Sequence, residues 1–269
     1  MLADQGLGSR RQMERWIAEG RVTVNGEPAH TGQRVGRADV LAVDGRKLGA
    51  AADGGCRVLV LNKRAGVICT RHDPEGRTTV FDDLPPLRGG RWISIGRLDI
   101  QTSGLLLITN DGELANRMMH PSTGLDREYA VRVGGRLEET TLERLREGVL
   151  VEGELLRFSD IQYYNGSGTN HWYHVVLLEG RNREVRRLFE AAGLSVSRLK
   201  RVRYGPVMLP STLRNGHYRE LGEDDMRALY ALLRLPLVLP RPVRRSRREA
   251  AREREPSLLL AYPDLPPPV

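Results

Sequence analysis

The stretch GRLDIQTSGLLLITNDGELA (96–115) holds the side chain with the strongest claim to chemistry, Asp99. Asp99 follows a short basic and apolar run and precedes TSG and the apolar segment LLLIT, which places it at the edge of a buried strand. A carboxylate there is partly desolvated yet still reaches a ligand, which suits a nucleophile or a base. Aspartate also caps turns through its side chain, and position alone leaves that reading open. Other groups carry less. His171 and His174 in NHWYH (170–174) sit three apart, but the pattern around them is strand-like and no cysteine or third ligand is near, so no metal site is expected. NGSG (165–168) reads as a hairpin turn, because no GK[ST] or helix start follows to make a phosphate loop. Trp172 and Tyr173 read as sheet packing rather than as a platform for bases. Cys56 and Cys69 are too few for a disulfide framework and wrongly spaced for a CxxC pair, so a reducing cytoplasm is the expected compartment.

Around these groups the chain divides by composition into three regions. Residues 1–48 predict a small α/β module: Ser9 caps a helix over Arg10 to Glu19 with Met13, Trp16 and Ile17 on one face, Gly20 ends it, and VTVNG (22–26) is a strand entering an Asn-Gly turn. GAAADGG (49–55) reads as a linker. Residues 56–235 mix strands (Val58–Leu61, Leu105–Thr109, Tyr129–Val133, Trp172–Leu178, Val196–Val202) with helices (Gly112–Met119, Glu138–Glu147, Arg183–Ala192, Asp224–Leu233). The strict alternation of a parallel βαβ fold is missing, so an α+β domain with a mixed or antiparallel sheet and flanking helices is expected. From Pro236 onward eight of the fifteen prolines fall among arginines and glutamates, and 236–269 is expected to be a disordered tail.

Charge sharpens the picture. The net charge is +8, and residues 181–203 alone carry eight basic side chains against Glu184 and Glu190. Residues 241–256 add seven arginines against three glutamates, which leaves the remainder slightly acidic. Basic residues of 181–203 alternate with Val185, Leu188, Phe189, Leu199 and Val202, so they belong to a folded element that faces a polyanion, with Arg181 and Arg183 as expected RNA contacts. The tail arginines read more simply as a solvated run. No stretch approaches a membrane span, and no secretory leader is recognisable at MLADQGLGSRRQ.

Several long blocks, in order, resemble one family. GRLDIQTSGLLLITNDGELANRMMHP (96–121), CTRHDPEGRTTVFDDLP (69–85), REYAVRV (127–133), GTNHWYHVVLLEGRNREVRRLFEAAG (168–193) and SRLKRVRYGP (197–206) are similar to the pseudouridine synthases of the RsuA and RluB branch, the RluB type above all. Residues 9–35 resemble an S4-type RNA-binding domain, where Arg10, Arg11 and Arg21 fall on the pattern. Family members usually begin with a further helical half-turn or more, often with lysine, whereas here Met1 directly precedes Leu2-Ala3, which implies an upstream start or a short first helix.

The resemblance implies isomerisation of a uridine in 23S ribosomal RNA, the uridine 2605 type, with no cofactor and the large-subunit precursor as partner. It implies a cytoplasmic monomer. Asp99 would be the nucleophile, at the sugar or at C6 of the base; Tyr129 would pack on the flipped base and Arg186 would pair with Asp99. Val185 would line the pocket and Arg97 would fill the gap left by the extruded base. Two other classes stay open on residues alone. One is a non-catalytic ribosome-associated RNA-binding protein, against which the joint presence of Asp99, Tyr129 and Arg186 speaks. The other is a glycoside or nucleoside hydrolase, which needs a second carboxylate within about 5–10 Å of the first.

Overall fold

The computed structural model describes residues 2, 7–36, 38–48, 55–87, 90–240 and 256–265. Most of the expected linker (49–54) and parts of the expected tail (241–255 and 266–269) lie outside the described residues. No helix among the described residues is long and apolar enough to cross a membrane.

The N-terminal module consists of α1 (Arg10–Ala18), β1 (Val22–Val24), β2 (Glu27–Pro28), β3 (Leu41–Val43) and β4 (Arg46–Lys47). Ser9 caps α1 as expected, its hydroxyl accepting from Gln12 N–H at 3.1 Å. Met13 is the buried anchor of the helix, with Val22, Val24 and Leu41 from an antiparallel sheet of order β2-β1-β3-β4. Asn25 and Gly26 both take positive φ, which a two-residue hairpin turn requires.

The second domain holds β5 (Val58–Lys63), β6 (Ile93–Ile95), β7 (Ser103–Thr109), α2 (Gly112–Met119), β8 (Arg127–Val133), α3 (Glu139–Glu147), β9 (Val149–Val151) and β10 (Glu154–Leu156). It continues with β11 (Asp160–Ser167), β12 (Asn170–Leu177), α4 (Glu184–Ala191), β13 (Val196–Tyr204), β14 (Val207–Met208), β15 (Tyr218–Glu220) and α5 (Glu223–Leu233). The large sheet runs β11-β12-β8-β13-β7-β5-β15, with β6 on β7 and β14 on β13, and β9-β10 form a separate hairpin. The expected α+β class with a mixed sheet is what the chain adopts. Every pairing in the large sheet is antiparallel except β13 with β7, which touch over only Lys200↔Ser103 and Arg201↔Gly104. Gly104 sits on this parallel seam at φ +99°, where a Cβ would lie 2.2 Å from the Arg201 carbonyl oxygen, so only glycine lets the strands meet.

Burial divides the sheet. β5 is buried on both faces: Leu59 and Leu61 belong to the core that α3 and α4 also join, Val58 and Val60 to the core that α2 and α5 join. That explains its continuous apolar run. β8 and β12 alternate instead, with Tyr129, Val131, Val133, Tyr173, Val175 and Leu177 inward and the residues between them half-exposed.

Two expectations need correction. The turn expected at 165–168 moves two residues on, because β11 runs to Ser167 and pairs with Asn170, leaving Gly168-Thr169 as the loop. The tail expected to be disordered from 236 is ordered at 256–265. Leu258 and Leu265 are buried beside α5, Met208 N–H donates to Leu258 C=O at 2.8 Å, and the Tyr262 hydroxyl donates to Asp126 at 2.7 Å. Apolar burial of these two leucines and a backbone pairing with β14 outweigh the proline-rich composition.

Candidate active site

Where β13 and β7 part beyond their two-residue seam, a cavity of about 860 Å³ opens. Volume of that order takes a nucleoside-sized ligand with room for the chain on either side. Asp99, half-buried, lies on its wall together with Arg97, Tyr129, Val185, Arg181 and Arg183. Six of the seven side chains expected to form the catalytic site and its RNA rim therefore share one cavity, although they come from residues 97–185.

The Asp99 segment is held by its own backbone. Thr102 N–H donates to Asp99 C=O at 3.0 Å, Gly66 N–H to Ile100 C=O at 2.7 Å, and Leu98 N–H to the Cys69 sulfur at 3.4 Å. Beneath it lies Lys63, 1% exposed at the end of β5. Its ammonium donates to four carbonyls: Thr102 at 2.8 Å, Arg64 at 2.9 Å, Asp99 at 3.2 Å and Ile100 at 3.3 Å. Burial lowers the Lys63 pKa, while the Cys69 and Asp99 charges oppose that fall. Sequence reading stopped the strand at Leu61 and missed this clamp. The available signal was a lysine that directly continues an apolar strand, VLVLNK.

The facing wall is arginine-rich. Arg183 is a non-glycine residue in the left-handed region (φ 49°, ψ 26°) and precedes α4, where no side chain caps the helix. Its guanidinium reaches Glu190 only at 3.7 Å. Arg181 is committed: it holds Glu179 at 2.8 Å and the Leu155 carbonyl at 3.1 Å, while its N–H donates to the buried Glu184 at 3.2 Å. Burial raises the Glu184 pKa, against the pull of that backbone N–H. Arg97 stands exposed at the rim with no ion-pair partner among the described residues. Tyr129 and Val185 are 9% and 4% exposed and form the apolar part of the wall.

Arg186 differs from its expected geometry. Its guanidinium donates to the Val196 carbonyl at 2.9 Å and makes no hydrogen bond to Asp99, and its Nε is buried without a partner. Burial lowers its pKa, the Arg183 charge adds to that, and the Asp99 charge opposes it. The two groups are thus coupled by field across the pocket wall, not by a closed ion pair.

In the N-terminal module Arg21 is already engaged. It binds Asp44 through two bonds of 2.9 and 2.6 Å and lies 4.5 Å from the centre of the Trp16 ring. Arg11 is exposed and Arg10 borders a recess of about 210 Å³. His174 binds Glu128 at 2.8 Å and His171 lies 3.3 Å from the Tyr163 hydroxyl, which gives each histidine a structural partner. Tyr173 is core, as expected, but Trp172 points to the opposite face of the strand, half-exposed.

Known proteins with this sequence pattern are numerous. The profile of the RNA pseudouridylate synthase family matches residues 57–191, and that of the S4 domain matches residues 1–41. A protein of Pseudomonas aeruginosa named ribosomal large subunit pseudouridine synthase B is 56% identical over 94% of this chain, which spans 67% of that protein. The Vibrio cholerae protein of the same name is 52% identical over 87% of this chain and 74% of its own length. A Xanthomonas axonopodis relative, again of that name, is 51% identical, and the chain covers 44% of it. A crystal structure titled pseudouridylate synthase superposes with a TM-score of 0.59 at 27% identity, covering 85% of this chain and 96% of that one.

Proposed function

The chain belongs to the RNA pseudouridylate synthase family, and from that premise we propose that it isomerises one uridine of large-subunit ribosomal RNA to pseudouridine, with Asp99 as nucleophile. The observation that carries this reading is the shared cavity: one half-buried carboxylate on a clamped loop, faced by Tyr129, Val185 and a rim of arginines. The names of relatives that share half of the sequence point to large-subunit RNA, and we propose the uridine 2605 type of 23S RNA, which the family resemblance implies, as the target.

The target uridine leaves its stack and enters the cavity, at a cost of about a few kcal/mol that Arg97 offsets by occupying the vacated place. The Asp99 carboxylate adds to the nucleotide, at C1′ or at C6. The C1′–N1 bond breaks, the base turns, C1′ bonds to C5, the bond to Asp99 breaks and returns the free carboxylate, and the C5 proton leaves while N1 gains one. Reactant and product are isomers, so no oxidant, reductant or group donor enters the balance. Tyr129 packs on the base and stands near the C5 proton. Arg186 supplies a positive field behind the wall that carries Asp99 and orients the developing charge there. The other carboxylates on the wall, Glu179 and Glu184, are both engaged by Arg181, which disfavours the paired-carboxylate chemistry of a hydrolase. A ribosomal substrate supports the reading of a cytoplasmic enzyme, and we propose that it acts as a monomer.

Asp99→Asn tests the mechanism, since it preserves shape and removes the anion. Pseudouridine formation in a large-subunit transcript is expected to vanish while RNA affinity persists. Activity within about tenfold of the unmodified enzyme would overturn the role of Asp99.

A further inference from the structure

Beside α2 and α5, strands β5 and β7 are buried on both faces. Over β12, β8 and the first part of β13, the residues on the face turned away from α3 and α4 are half-buried or exposed among the described residues, and their composition is unusual. One cross-strand row reads Trp172↔Arg132↔Arg198, and the next reads His174↔Ala130↔Lys200. Tyr164, 68% exposed at the bulge of β11, lies over His174 with ring centres 5.3 Å apart.

Arg132 and Arg198 stand directly opposite each other. Like charges in that relation destabilise a sheet, and a carboxylate nearby is the usual remedy. None is supplied among the described residues. Arg132 donates to the Ser197 hydroxyl at 3.0 Å and its guanidinium lies 6.0 Å from the Trp172 ring centre, while Arg198 and Lys200 have no ion-pair partner among the described residues. The nearest acid on this face, Glu128, is already bound by Arg203 at 3.0 Å and by His174. An external polyanion relieves the repulsion, and flat rings beside the cations offer stacking surfaces of a kind that bare phosphate contacts do not need.

We infer that this open sheet face is a second RNA-binding surface, on which unpaired nucleotides of the substrate RNA outside the cavity stack on Trp172 and Tyr164 while their phosphates meet Arg132, Arg198 and Lys200. The inference rests on the reading that the substrate is ribosomal RNA. None of the five residues lines the cavity around Asp99, so binding at the face separates from chemistry.

The test compares two variants on two RNAs. Arg198→Gln with Lys200→Gln keeps an exposed and a half-buried strand position polar, and Trp172→Leu keeps an apolar side chain while removing the ring. On a long large-subunit transcript, each is expected to weaken Kd by about tenfold, and the charge variant to reduce the slope of log Kd against log salt by about two. Trp172→Leu should leave that slope unchanged. On a short stem-loop that carries only the target uridine, Kd and the saturating rate should match the unmodified enzyme. Unchanged Kd and slope on the long transcript, with the unmodified enzyme binding and modifying it, would overturn the surface and leave the proposed function standing. Unchanged binding to naked RNA with lost modification of a protein-containing ribosomal particle would also overturn it, in favour of a protein partner. Failure of the unmodified enzyme to bind or modify either RNA would instead remove the proposed function, and the surface with it.

Discussion

The two walls of the cavity are built in opposite ways. The Asp99 wall is fixed: a glycine-enabled strand seam, three backbone hydrogen bonds and a buried lysine that grips four carbonyls leave the 99–102 segment little freedom. The arginine wall at 178–185 is looser, with Leu178 50% exposed, Arg183 in a left-handed conformation and a helix start that no side chain caps. Bond-making chemistry tolerates displacements well under 1 Å, whereas phosphate contacts act through charge and tolerate several conformations. In the proposed mechanism, rigidity is concentrated where atoms would react and slack where the polymer would be admitted.

Arg186 offers the sharpest way to break that contrast, because it sits on the helix behind the loose wall yet is assigned to serve the rigid one. Arg186→Ala should lower the single-turnover rate by about a thousandfold and leave RNA affinity within about threefold. Since its coupling to Asp99 runs through field and not through a guanidinium fork, Arg186→Lys should restore most of that loss. A parallel drop in affinity with an intact rate would return Arg186 to the RNA-binding surface.

Lys63 tests the rigid wall itself. Lys63→Met keeps the stem and removes the clamp, leaving buried carbonyls without their donor, at a cost of about 2–4 kcal/mol in denaturant unfolding. The rate should fall by about a hundredfold from misplacement of Asp99, with unchanged RNA affinity. If rate and affinity both match the unmodified enzyme, the clamp does not position the nucleophile.

Arg183→Ala addresses the loose wall and should act only on binding. Kd is expected to weaken by a few fold and the salt slope to fall by about one, with the saturated rate unchanged. A changed rate would show that this wall too is set for chemistry.

The smallest effect concerns the segment 256–265. Burial tends to raise the Asp126 pKa, but hydrogen bonds from Arg203 (2.6 and 2.7 Å) and Tyr262 outweigh it and hold the carboxyl below its usual value. A depressed carboxylate stabilises the fold fully above its unfolded pKa, and that contribution is lost as pH falls from there through the folded value. Amide exchange at 257–262 should therefore quicken below about pH 4, and Tyr262→Phe should flatten that dependence. Exchange that is insensitive to acid would mean that Asp126 does not secure the segment.

Much of this architecture was legible in advance. The helix Gly112–Met119 matches at both ends because Asp111, a strong capping residue, starts it directly after an apolar strand. Strands β5, β7, β8, β12 and β13 are legible within a few residues because each contains a continuous apolar run or an apolar alternation, whereas the polar β11 (DIQYYNGS) shows neither and is missed. Strands of two or three residues, such as β6, β9, β14 and β15, show no period and were passed over. In the site, Asp99, Tyr129 and Val185 were identified by resemblance and lie together, whereas Lys63 was missed because Asn62-Lys63 after an apolar run looks like the run's end.

What the sequence by itself determined is the set of elements, their amphipathic faces and the candidate for the reactive group. All three follow from neighbours along the chain or from blocks shared with a family. Tertiary structure alone decided which cations are neutralised. Arg57 meets Glu220, Arg203 meets Asp126, and Arg21 meets Asp44, while Arg97, Arg198 and Lys200 meet no carboxylate among the described residues. Coulomb energy depends on distance in space, and residues dozens of positions apart acquire that distance only when the sheet order brings their strands together.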